Sequence, residues 1–189
     1  TAADILSGKV ALTGVSNPGE GVTLTVTAAV KDAAGNTGAT GSDSATIDTI
    51  VPQTLTAKLD PTSDSGTKGD SITNDKTPTI SGTGDPGAKI EVTMPTGEKL
   101  TTTVKPDGSW TVTPTQDVPD GPIVVNVKET DPAGNSISTT VPLTIDSGVP
   151  NDGTAPTVTI TEDANNDGFI NRVEAQGPTD VKVSFNGNL

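Results

Sequence analysis

The sequence repeats itself. Asp32-Ala33-Ala34-Gly35-Asn36 returns as Asp131-Pro132-Ala133-Gly134-Asn135, 99 residues on. Thr46-Ile47-Asp48 returns 98 residues on as Thr144-Ile145-Asp146, and Ile72 of Gly69-Asp70-Ser71-Ile72 matches Ile170 of Asp167-Gly168-Phe169-Ile170 at the same spacing. Three independent landmarks at one interval define a unit of about 98 residues, the size of a small β-sandwich. The unit is out of phase with the chain. Residues 1–49 match its C-terminal half, 50–147 form a complete copy, and 148–189 match its N-terminal half. The chain therefore reads as half, whole, half, as if cut from a longer array. A half-sandwich exposes its core face and its strand edges. Each half is expected to find a complement, either head to tail from a neighbouring chain or from the other half.

Within the complete copy, short alternating runs rich in Thr, Val and Ile are separated by Gly, Pro and Asp turns, the pattern of a β-sandwich. Strands are expected at 54–59, 77–82, 88–93, 99–104, 109–113, 123–128 and 138–145. The fold class is all-β, tandem sandwich domains with almost no helix. Trp110 reads as a core plug. A sugar platform is the other role open to it, and one aromatic alone makes a poor platform.

Composition narrows the chemistry. Of 189 residues, 24 are Asp or Glu and 11 are Lys or Arg, a net charge of −13 with no histidine. Cysteine and tyrosine are also absent, and the aromatics are Trp110, Phe169 and Phe185. No Ser/His/Asp triad, Cys/His pair, thiolate or histidine zinc site, or disulfide can be built. The acidic surface repels nucleic acid and anionic lipid. Hydrophobic content is only 30%, low enough for disorder in a chain without pattern, but the alternation argues for folded strands. No apolar run approaches the ~18 residues of a membrane helix, and no signal peptide is visible. A chain lacking Cys and His suits passage across membranes unfolded and work in calcium-rich surroundings.

The chemistry left to this chain is that of oxygen ligands. Asp163-Ala164-Asn165-Asn166-Asp167-Gly168-Phe169-Ile170-Asn171-Arg172-Val173-Glu174 fits D-x-[DN]-x-[DN]-G-x₅-E throughout. Calcium takes six to eight oxygens. Asp163, Asn165 and Asp167 place side-chain oxygens at loop positions 1, 3 and 5, and Gly168 permits the turn at position 6. The Phe169 carbonyl sits at 7, Asn171 at 9 is placed to bind through water, and Glu174 at 12 can close the shell with two oxygens. Ile170 is expected to anchor the loop on the core. Strand-like 157–160 and 181–185 flank the loop, so it is an EF-hand-like loop in a sandwich with a structural role. The equivalent stretch of the complete unit, from Asp60 through Asp64 and Asp70 to Asp75, keeps carboxylates and glycines but loses the spacing. Calcium at Asp64 and Asp70, or an ordinary Asp/Gly turn, both fit it. Asp32, Asn36 and Asp48 lie near the first junction, and Asp131, Asn135 and Asp146 near the second. In a sandwich the Asp-x-Ala-Gly-Asn hairpin and the last-strand aspartate are expected to share one pole, where their carboxylates repel unless a cation sits between them or water screens them. The Ala-Gly-Asn stretch itself makes a tight turn in either case.

Asp-x-Ala-Gly-Asn, Thr46-Ile47-Asp48-Thr49, Gly69-Asp70-Ser71-Ile72-Thr73-Asn74-Asp75-Lys76-Thr77-Pro78 and Asp107-Gly108-Ser109-Trp110 resemble, together and over essentially the whole chain, the bacterial Ig-like repeats of giant biofilm-associated and RTX-type surface adhesins. The resemblance implies tandem Ig-like sandwiches forming an extracellular stalk on the bacterial surface. Neighbouring repeats of the same chain are its partners, and Ca2+ at or near the junctions stiffens it through Asp32, Asp48, Asp131 and Asp146. The stalk would project a ligand-binding tip for adhesion or biofilm formation. The alternative is a carbohydrate- or ice-binding module using threonine faces such as Thr23, Thr25 and Thr27 or Thr101-Thr102-Thr103. No Asp/Glu pair stands in a recognisable cleft pattern and aromatic walls are missing, so an enzyme is not expected.

Overall fold

The computed structural model describes residues 14–163, 166–171, 177–178 and 180–185. These form β1 (Thr23–Lys31), β2 (Thr37–Thr46), β3 (Lys58–Leu59), β4 (Ile72–Thr73), β5 (Ile80–Thr83), β6 (Lys89–Thr93), β7 (Lys99–Thr103), β8 (Ser109–Val112), β9 (Gly121–Thr130), β10 (Ser136–Ile145), a 3₁₀ turn at Pro150–Gly153, β11 (Thr157–Ile160) and β12 (Val181–Ser184). The described residues contain no α-helix, and no helix is long and apolar enough to cross a membrane.

The complete unit is a two-sheet sandwich. One sheet has the order β4-β10-β9-β6-β7 and the other β3-β5-β8. All pairings are antiparallel except β4 with β10, which is parallel. The inner faces follow the two-residue period of strands. Val125, Val127 and Glu129 of β9 point inward between exposed Val124, Asn126 and Lys128. Ile90 and Val92 of β6, Val141, Leu143 and Ile145 of β10, and Ile80 and Val112 of the facing sheet complete the layer. Trp110 is the largest side chain fully enclosed, and its Nε1 donates to the Thr83 carbonyl at 3.0 Å. It is a core residue with its one polar atom satisfied.

Two strands differ from the sequence expectation. Only Lys58–Leu59 of the 54–59 run pairs as a strand, because the chain before it meets β5 through single bonds: Thr56 N to the Thr83 carbonyl at 2.9 Å, and Thr83 N to Thr56 Oγ1 at 2.9 Å. The short β4 was not expected. It is two residues long, below the length at which alternation is readable, and is fixed by its parallel pairing to β10. The threonines pair across strands, Thr23 with Thr46 (2.9 Å), Thr56 with Thr83 (2.7 Å) and Thr79 with Thr113 (2.7 Å), hydroxyl to hydroxyl. Such ladders are ordinary cross-strand stabilisation.

The hairpins of the half-units stand apart from this core. Among the described residues, β1 pairs only with β2, and β11 only with β12. Val26, Ala28 and Val30 occupy the places that Val125, Val127 and Glu129 hold 99 residues on, yet Val26 is 40% and Val30 81% exposed. Val158, Ile160, Val181 and Val183 are likewise exposed. The two hairpins share no sheet, so within one chain they do not complement each other through the described strands.

Gly82 marks the tightest point of the sandwich. A Cβ there would lie 2.0 Å from the Thr56 carbonyl oxygen and 2.9 Å from the Trp110 ring. Gly82→Ala is expected to destabilise the complete unit by about 3 kcal/mol, at the upper end of overpacking costs, because backbone must move. Urea unfolding followed by Trp110 fluorescence measures it; a midpoint unchanged from wild type would show that the approach of residue 56 is not structural.

Candidate functional site

The loop after β11 folds around Asp163. Its Oδ1 accepts the amide of Asp167 at 3.0 Å, its Oδ2 accepts the amide of Gly168 at 2.9 Å, and its carbonyl accepts the amide of Asn166 at 3.1 Å. Gly168, at φ +84°, makes the sharp turn that position 6 of a calcium loop requires. Asp167 Oδ1 in turn accepts the Phe169 amide at 2.9 Å. Asp163, Asp167, Phe169 and Asn171 thus lie along one tight turn; Asn165 and Glu174 are outside the described residues. Ile170 does not anchor the loop as expected. It is 39% exposed and Phe169 77% exposed, because the hairpin beside them has no second sheet among the described residues to pack on.

The central unit holds a relative of that loop. Asp64 Oδ2 accepts the amide of Gly69 at 2.6 Å, the same reach of five residues as Asp163 to Gly168. The spacing is therefore kept at this point, contrary to the sequence expectation, because the shared feature is one carboxylate-to-amide bond and not the ligand set. Asp64 is 5% exposed, and its Oδ1 is buried without a hydrogen-bond partner. Asp70 Oδ1 accepts the Ile72 amide at 2.9 Å.

The hairpins repeat a third arrangement. Asp32 Oδ1 accepts the Asn36 amide and its Oδ2 the Asn36 side-chain Nδ2, both at 2.8 Å. Asp131 does the same with Asn135 at 2.8 and 2.9 Å, and adds the Gly134 amide at 2.7 Å. The expectation that Asp131 and Asp146 share one pole is corrected, as is that for Asp32 and Asp48. In an antiparallel hairpin the turn lies at one end and the last residue at the other. Ser136 at the start of β10 pairs with Thr130, and Ile145 at its end pairs with Gly121, so about 30 Å of strand separates the two aspartates. What meets Asp131 is the end of the preceding unit: Asn135 Nδ2 donates to the Asp48 carbonyl at 3.1 Å. Asp146 instead donates its amide to the Thr73 carbonyl at 2.8 Å.

Two residues at the Asp131 pole escaped the sequence reading. Asp85 accepts the Thr54 hydroxyl at 2.5 Å and the Gln53 amide at 3.2 Å, which ties the segment after Asp48 to the β5–β6 turn. Glu129 is fully enclosed; its Oε1 accepts the Asp85 amide at 2.6 Å, and its Oε2 has no partner. The signal was present in β9, where a glutamate takes the inward place in Val125-x-Val127-x-Glu129. Among the described residues no three acidic side chains converge closely enough to hold an ion by themselves.

Residues 51–147 match the sequence profile of the bacterial Ig-like domain, just over half of the chain. This chain belongs to the bacterial Ig-like family. Among solved structures it is similar to a tetra-tandem repeat from the extending region of a large adhesion protein, with 26% identity over 73% of this chain and 34% of that one, at a TM-score of 0.42. It is also similar to a Ca2+-stabilized adhesin that helps an Antarctic bacterium reach out and bind ice, with 30% identity over 88% of this chain and 40% of that one, at a TM-score of 0.38. A bacterial immunoglobulin-like domain from the M. primoryensis ice-binding adhesin matches at 25% identity over 50% of this chain and 100% of its own length, with a TM-score of 0.31. The chain spans between a third and two fifths of the first two structures. No curated protein matches the sequence.

The electrostatics of the bacterial Ig-like unit divide its acids into two kinds. Hydrogen bonds from Asn36 hold the exposed Asp32 carboxyl below its usual range. At Asp131 partial desolvation pushes upward and is outweighed by bonds from Asn135 and Gly134, so the net direction is also down. Glu129 runs the other way: burial pushes its pKa up, the Asp85 amide opposes, and the Asp85 carboxylate adds to the rise. A raised acid contributes stability that is fully present below its unfolded-state value, near 4.5, and lost as pH climbs through the folded value. In chelator, Glu129→Gln is expected to match wild type at pH 4 and to exceed it in urea stability at pH 7. A variant less stable than wild type at pH 7 would contradict the burial of an unpaired charge.

Proposed function

We propose that the chain is a segment of calcium-stiffened extender repeats from a large bacterial cell-surface adhesin, working outside the cell to project a ligand-binding tip for adhesion or biofilm formation. The observation that carries this reading is the Asp163 loop, whose first carboxylate is held by the amides of Asp167 and Gly168 within a sequence that supplies oxygen donors at every ligand position. The donor set suits a hard cation. Asp163, Asn165, Asp167, Glu174, the Phe169 carbonyl and Asn171 would hold it. Bound there, calcium supplies a divalent charge that joins the two ends of the loop. The unpartnered Glu129 Oε2 beside Asp85 supports reading the Asp131 pole as a second oxygen-only position, joined by the Asp48 carbonyl of the preceding unit; Asp32 and Asp146 are the same residues of the adjoining repeats.

The chain's own residues explain why an ion would stiffen it. With a net charge of −13, clustered carboxylates favour separation of the poles. Asn135 to Asp48 and Thr54 to Asp85 already tie the two sides of the first junction, so charge neutralisation there acts on a linker that is short and in place. Neighbouring repeats are the partners, and the exposed faces of β1–β2 and β11–β12 are suited to head-to-tail complementation by the halves they lack. Threonine-face binding is not favoured, and Thr23 of that face already pairs with Thr46.

Calcium at a hundredfold excess over Kd is expected to add about 3 kcal/mol per site to a folded unit. Calorimetric titration of the full chain should count at least one ion, lost in Asp163→Asn, and chelation should lower the melting temperature of wild type. An ion count of zero, or a melt indifferent to chelator, would overturn the reading.

A further inference from the structure

Asp163 and Asp64 open the same kind of turn, 99 residues apart. In each, the first aspartate accepts the amide of the glycine five places on, at 2.9 Å in one and 2.6 Å in the other. Aligned on that bond, position 3 is Asn165 in the first and Gly66 in the second, and position 5 is Asp167 in the first and Lys68 in the second. Position 9 is Asn171 in the first and Ile72 in the second, so the central loop has lost two ligand side chains and reversed the charge of a third.

Its remaining carboxylates are engaged within the protein. Asp75, at position 12, accepts the Thr77 amide at 2.9 Å through Oδ1 and the Ser63 hydroxyl at 2.8 Å through Oδ2. Asp70 is turned back to the Ile72 amide. The Lys68 ammonium donates to the carbonyls of Asp64 and Pro61, the latter at 3.2 Å. That leaves Asp64 Oδ1, buried and without a donor. A buried carboxylate oxygen needs positive charge close by, and Lys68 is anchored on the main chain of that same aspartate.

We infer that the Lys68 ammonium replaces the metal in the central loop, a tethered cation that holds the first turn of that loop, Pro61 to Gly69, without calcium. Of the two loops, only 163–174 then responds to the ion. The 64–75 end of the complete unit stays folded when calcium is withdrawn, while the neighbouring half-unit loosens. The inference rests on the proposed calcium reading for the 163–174 loop alone; Asp64 and Asp70 become turn-forming residues.

The test follows the Gly69 and Gly168 amides of the ¹⁵N-labelled full chain by NMR. In wild type, adding calcium chloride to chelator-treated protein should leave Gly69 in place while Gly168 shifts. In chelator, Lys68→Met should speed hydrogen exchange at Gly69 about tenfold without changing Gly168, and Lys68→Arg should restore protection. A Gly69 resonance that titrates with calcium in wild type overturns the inference, as does a Lys68→Met exchange rate equal to wild type. A static Gly168 counts against the calcium reading of the terminal loop and leaves the Gly69 arms to decide this one.

Discussion

A carboxylate accepting the main-chain amide of a residue four or five places on is the interaction from which each pole of this protein is built. Asp32 to Asn36, Asp64 to Gly69, Asp131 to Asn135 and Asp163 to Gly168 are variants of it. Each closes a turn that the thin, aromatic-poor core does not reach. Each also fixes a carboxylate within a turn of the main chain. Charge-assisted bonds of this kind are stronger than neutral ones, and they depress the carboxyl pKa at Asp32 and Asp131. Those two hairpins consequently hold their negative charge throughout the neutral range.

The sandwich behind these loops is conventional in its energetics. Fourteen apolar side chains form one continuous buried cluster, drawn from both sheets, with Trp110 at its centre of bulk. The only fully enclosed acid on the inner face, Glu129, interrupts that layer where β9 approaches the junction. Gly84 makes room for it, since a Cβ there would stand 2.9 Å from Glu129 Oε1. A glutamate accommodated in this way costs stability at neutral pH and supplies an unused oxygen beside the linker. In the preceding half-unit the same place is Val30, so the junction chemistry differs from one repeat to the next.

Much of this was legible in the sequence, for definite reasons. The 98-residue recurrence, the alternating Thr/Val runs and the Gly-Asp turns report local backbone geometry, and they located β5 to β10 to within a few residues. The two-residue β4 and the shortened β3 were not readable, because their pairing is set by β10 and β5 rather than by their own pattern. The Asp163 turn was visible since all its partners are neighbours in sequence. The pole formed by Asp85, Glu129, Asp131 and Asp48 was not, because those residues come from two turns, a strand and a preceding unit. The assignment of Asp131 and Asp146 to one pole failed on the length of a strand: the motif fixes which residues recur and leaves open at which end of the hairpin they fall. Lys68 was passed over because a cation inside an acidic loop looks like a lost ligand until its ammonium is seen on the loop's own carbonyls.

Oxygen-only sites at the ends of rigid sandwiches would make stiffness a property of the solution and not of the chain alone. Small-angle scattering of the full chain in calcium and then in chelator tests this most directly. The account predicts a sharp, reproducible maximum dimension with the ion and a broadened distance distribution without it. Superimposable curves in the two buffers would contradict it.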